Sequence, residues 1–122
     1  EVREQGIDVY FNFDIGHWFT RANMGLQVPE SPENVIEKLP PKLLKELHLN
    51  DYLTSERKFH PPLHLGIGFL KRENIERYAK IVKRKKVEAV VVETALQTVE
   101  QVLDRERILS EESRYIREAF GL

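Results

Sequence analysis

Residues 9–14, VYFNFD, alternate Val9, Phe11 and Phe13 with Tyr10, Asn12 and Asp14, the period of two that marks a β-strand with one apolar and one polar face. Gly16 then permits a sharp turn, and 17–24 reads as a short helix or an ordered loop that Gly25 and Pro29 close. Ser31 followed by Pro32 and Glu33 is a helix start, a hydroxyl cap with proline in the first turn. Val35, Ile36 and Leu39 give that helix its apolar stripe, and Pro40 with Pro41 stops it. Alternation returns over 43–50, where Leu47 and Leu49 oppose Glu46, His48 and Asn50, and predicts a second strand.

Residues 52–70 read as a loop, with Pro61, Pro62, Gly66 and Gly68; loops of such length in a compact domain usually cover a functional site. A helix is predicted over 71–85, with Ile75, Tyr78, Ala79 and Val82 on one face. The run 87–93 is almost wholly apolar, the pattern of a parallel strand buried on both sides. A helix over 96–109 follows, then another that Ser110 caps and that carries Tyr115, Ile116, Ala119 and Phe120. Strand and helix thus alternate three times, which predicts an α/β fold with right-handed crossovers, a parallel sheet and a ligand site at the carboxyl ends of the strands.

Side-chain parity sharpens the picture. If Asp14, His48 and Glu93 share one side of the sheet, then Tyr10, Asn12, Glu46, Asn50, Ala89 and Val91 share it too. The other side carries Val9, Phe11, Phe13, Leu47, Leu49, Val90 and Val92. Helices against the apolar side and a polar lining opposite describe a wedge of a barrel with its chemistry inside. A complete eight-unit barrel takes ~250 residues, about twice this chain.

Composition narrows the chemistry. The 122 residues, 41% hydrophobic, suffice for one domain with a core. Lys plus Arg number 19 against 20 Asp plus Glu, so net charge points to neither nucleic acid nor an acidic partner. The absence of cysteine excludes thiolate chemistry, disulfides and cysteine-bound zinc, leaving carboxylate, imidazole and hydroxyl. No apolar run reaches the ~20 residues of a membrane helix, and a cytoplasmic location is expected. Asp14 and His17 in FNFDIGH, His48 in LKELHLND and Glu93 in VEAVVVET all sit at the ends of apolar runs. Neighbouring strands lie ~5 Å apart, so three such termini can converge on one divalent ion.

These motifs, DxGH, then a strand ending HLxD, a loop containing HLGIG and a strand ending VVE, resemble the C-terminal part of xylose isomerase-like TIM barrels. That superfamily holds sugar and sugar-phosphate isomerases and epimerases together with the family-two apurinic endonucleases. The resemblance runs from about Val9 to Glu93 and implies that residues 1–122 are the last three or so strand-helix units of a (β/α)8 barrel. It further implies that Asp14, His48 and Glu93 bind one divalent metal (manganese, zinc, magnesium or cobalt) with a glutamate from an earlier strand. Glu93 then moves a proton next to a carbonyl, and His17 contacts substrate oxygens. In endonuclease-like members the equivalent of His17 and a later Asp-x-His pair hold another zinc, which makes His17 and His64 further metal candidates. If His64 is the family's loop histidine, Pro62 stands where the nuclease has aspartate, and an incomplete nuclease site favours the isomerase reading. His60, in HPPL, is the alternative loop histidine, ranked below His64.

Each residue also has a plainer role. Asp14 suits a turn before Gly16, His48 a satisfied core histidine, His17 a helix cap and Asp51 the start of a turn. Glu93, directly after Val90, Val91 and Val92, resists such dismissal because an isolated buried carboxylate is costly. Arg21, Arg57 and Lys58 suit a phosphate or a solvated surface, the run 83–86 suits a helix carboxyl end, and Trp18 suits packing at the rim slightly better than stacking on a sugar. The expected function is a metal-dependent sugar or sugar-phosphate isomerase or epimerase acting on a small substrate. Its alternatives are an apurinic endonuclease-like phosphodiesterase and a non-catalytic interaction module. Open sheet edges imply that the segment joins the remainder of a barrel or associates with itself.

Overall fold

The computed structural model describes residues 5–6, 9–25, 30–56 and 58–122. Strand β1 spans Phe11–Asp14 and runs directly into helix α1, Ile15–Asn23; α2, Pro32–Lys38, leads to β2, Leu44–Leu49. A small antiparallel pair, β3 at Tyr52–Leu53 and β4 at Lys58–Phe59, follows. Helix α3, Arg72–Lys85, leads to β5, Ala89–Val92, and the chain finishes with α4, Val99–Leu103, and α5, Arg105–Phe120.

The main sheet has the order β1-β2-β5, and both of its pairings are parallel. Two successive crossovers step in one direction across the sheet, so crossovers of one hand place their helices on one face. That face is the core: Ile15, Ile36, Leu47, Leu49, Ile75 and Tyr78 are fully buried there, and Phe13, Val90 and Val92 pack against them. Leu44 joins them although it has the parity of Glu46 and His48. Phe11 pairs with Leu44 but Asn12 with Glu46, so Lys45 is an extra residue in β2, a bulge that turns Leu44 back to the core side.

Local signals account for most boundaries. The Ser31 hydroxyl accepts from the Asn34 N–H at 3.3 Å and starts α2 one residue before Pro32. Lys86, in the left-handed region at φ 55°, ends α3. The basic run at that end is structural: Arg84 pairs with Glu37, and the Lys85 ammonium donates to the carbonyls of Glu37 and Leu39, fastening α3 to the end of α2.

Three expectations are corrected. Strand β5 is not buried on both sides: Val91 is 36% exposed and Ala89 is exposed too, because helices cover only the face of Val90 and Val92. The last two helices divide at Asp104, not at Ser110. Thr98 caps α4, and α5 passes through Ser110 unbroken because Ile108, Glu112 and Ile116, spaced by four, form one stripe buried against the rest of the molecule. The 52–70 segment is more ordered than a plain loop, since it holds the β3-β4 pair and a 3-10 turn at Leu63–Leu65. Among the described residues, no helix is long and apolar enough to cross a membrane.

Candidate metal centre

The parallel register sets Asp14 of β1 directly beside His48 of β2, and His48 beside Val91 of β5. Glu93, two residues after Val91, keeps the same parity, and its N–H donates to the Leu49 carbonyl at 3.2 Å, which continues the pairing past the strand end. One ligand atom each from Asp14, His48 and Glu93 then lies within 4.8 Å of the other two. His48 Nδ1 is 3.0 Å from Glu93 Oε1 and 3.7 Å from Asp14 Oδ2. All three side chains are partly open to solvent, at 22%, 20% and 31% for Asp14, His48 and Glu93. A small ligand thus has access from the carboxyl ends of the strands.

The orientation of the imidazole is the chemically informative feature. His48 Nε2 lies 2.8 Å from Glu46 Oε1, and a carboxylate only accepts, so Nε2 carries the proton. In the neutral ring Nδ1 therefore presents a lone pair to two carboxylate oxygens. The repulsion in that arrangement is relieved by a cation among the three groups or by a second ring proton donated toward Glu93. A carboxylate holding the far nitrogen of a histidine is also how metal-binding imidazoles are commonly oriented. Two carboxylates and an imidazole form a donor set suited to manganese, zinc, magnesium or cobalt.

Asp14 has two duties. Its Oδ1 accepts the His17 N–H at 2.9 Å, as the cap of α1, while Oδ2 faces His48. The turn role and the ligand role therefore coexist. Asn50, directly after β2, is fully buried between the two acids: its Nδ2 lies 3.2 Å from each oxygen of Asp14 and 2.6 Å from Glu93 Oε2.

The remaining histidines sort differently from expectation. His17 stands outside the triad, largely exposed, with Nε2 3.8 Å from Asp14 Oδ2. His64, the favoured loop histidine, is drawn elsewhere: Nδ1 lies 2.7 Å from Glu112 Oε2 and Nε2 3.6 Å from Glu111 Oε2, so both ring nitrogens face α5. His60 comes to the centre instead, with Nδ1 3.5 Å from Glu93 Oε2 and its ring edge-on to that of His17, centroids 6.4 Å apart. It holds a left-handed backbone at φ 56°, uncommon for a side chain other than glycine, and is fixed by hydrogen bonds to Asp51 and Ala95. The cause of the exchange is the Leu63–Leu65 turn, which carries His64 toward α5.

Comparison with protein families, curated proteins and solved structures gave no match to this chain. The site is therefore read from its own groups. Asp51 is not among them: its buried carboxylate accepts the N–H groups of Tyr52, Phe69 and Leu70, and burial pushes its pKa above the ordinary carboxylate value. Trp18 packs on Phe13 and donates to the Glu30 carbonyl at 3.1 Å, a packing role. Lys58 pairs with Glu56, Arg21 is exposed, and Arg57 lies outside the described residues. Glu46 and Asn50 are the centre's unforeseen members, and His60, the lower-ranked loop histidine, joins them. Parity had already put Glu46 and Asn50 on the correct face, which was the available signal for both.

Proposed function

We propose that this chain is a segment of a xylose isomerase-like TIM barrel whose complete form is a divalent-metal-dependent sugar or sugar-phosphate isomerase or epimerase. The observation that carries the reading is His48, held by Glu46 through one ring nitrogen while the other faces Asp14 and Glu93 at the ends of three adjacent parallel strands. Asp14, His48 and Glu93 would hold the metal, which when bound polarises a carbonyl or hydroxyl oxygen of the substrate. Glu93 takes or returns the proton on the carbon beside that carbonyl. His17 and His60, flanking Asp14 and Glu93, reach substrate oxygens. The sequential strand order and the single helix-covered face support the barrel part of the proposal.

Metal analysis of the protein with its whole barrel, combined with an aldose-ketose interconversion assay, tests the reading. One ion per barrel and turnover that Glu93→Gln abolishes are expected. Two or three ions with cleavage of abasic DNA would assign it instead to the phosphodiesterases. No binding of manganese or zinc in excess would leave a non-catalytic module.

A further inference from the structure

We infer that Asn50 is the positioning residue of this centre, the group that ties Asp14 to Glu93 and holds one oxygen of Glu93 so that the other turns to the ligand. The inference rests on the metal reading above. Asn50 stands where β2 ends, between the strands that bear Asp14 and Glu93, and it is fully buried. Its amide reaches both acids, at 2.6 Å to Glu93 Oε2 and 3.2 Å to each Asp14 oxygen. The amide cannot be reversed, because its oxygen would then meet two carboxylates.

The consequence is selective. Glu93 Oε2 is taken by Asn50; at Asp14 the amide reaches both oxygens alike, and the His17 N–H adds a second donor to Oδ1 alone. Glu93 Oε1 is the oxygen the amide leaves and Asp14 Oδ2 the one the His17 N–H leaves, and these are the two oxygens that face His48 Nδ1 at 3.0 and 3.7 Å. The arrangement has a visible cost: Asn50 Oδ1 is buried and, among the described residues, has no hydrogen-bond partner. It occupies a space that exists because residue 16 is glycine, since a Cβ there would lie 1.7 Å from that oxygen. A buried acceptor left unpaired beside a glycine is accounted for if the other end of the amide is what matters. Gly16 is thus part of the same device.

Manganese titration of the full protein by calorimetry, with circular dichroism to monitor the fold, tests this. Wild type should bind, while Asn50→Leu and Gly16→Ala should each bind 10–100-fold more weakly, the range for residues that orient ligands. Wild-type affinity in a folded Asn50→Leu variant would overturn the role of Asn50 and leave the metal reading intact; wild-type protein that binds no manganese would overturn both. Asn50→Ser leaves a hydroxyl too short to hold both acids, so manganese should raise its melting temperature less than it raises that of wild type. An equal rise would also overturn the inference, whether or not Asn50→Leu folds.

Discussion

Asn50 and Asp51 are neighbours in sequence, both fully buried, with opposite electrical tasks. Asn50 supplies donors to charged acids, whereas Asp51 is itself the acid, collecting three backbone N–H groups on one oxygen: Tyr52 and Phe69 at 2.8 Å and Leu70 at 3.2 Å. Burial raises its pKa even though those donors and Lys71 lower it. A raised carboxyl pKa stabilises the fold most below the ordinary value of 3.8, and that contribution is lost as pH rises through the shifted value. Asp51→Asn keeps an oxygen for the donors and removes the charge. Its stability should therefore fall less than that of wild type as pH rises through that window, as read by urea unfolding at a series of pH values. Asp51→Ala strands the donors and should cost about 2–4 kcal/mol in the same measurement at neutral pH.

At the scale of elements, periodicity and caps were legible while long-range closure was not. The alternation of β2, the Ser31 cap and the apolar stripe of α3 each depend on neighbours in sequence, and each appears where expected. Asp14, His48 and Glu93 were legible for the same reason, since strand parity and strand ends are local. The fate of His64 was not, because it depends on Glu112, 48 residues away. Glu112 accepts the Leu63 N–H at 2.8 Å, the His64 N–H at 2.9 Å and the Thr94 hydroxyl at 3.0 Å, besides facing the His64 ring. One buried acid on α5 thus anchors the segment that also carries His60 to the centre. Glu112→Ala should speed amide exchange at residues 63 and 64 and lower stability by about 2–3 kcal/mol, since it leaves buried donors unmet. Glu112→Gln, which keeps one acceptor, should lose less. Unchanged exchange at both amides in Glu112→Ala would remove the anchor.

The whole molecule is one-sided. Among the described residues, the sheet β1-β2-β5 carries helices on one face and leaves Ala89 and Val91 exposed on the other. Among the described residues, the outer edges of β1 and β5 pair with no further strand of the sheet. Unpaired parallel edges expose a row of backbone donors and acceptors that proteins normally cover. The uncovered face also bears Glu46, Asp14 and Glu93, so stacking two copies face on would bring acid against acid, whereas adding parallel strands at the edges keeps those charges around a shared interior. Association should therefore run through the edges, with the remaining strands of a barrel or with another copy. Sedimentation of the 122-residue chain alone should give a species heavier than its 14.4 kDa. Lysine placed at Asn12 on the β1 edge strand should shift that species toward monomer, as charged edge strands resist pairing. A cooperatively folded monomer at all concentrations would mean that the three-stranded sheet is sufficient by itself.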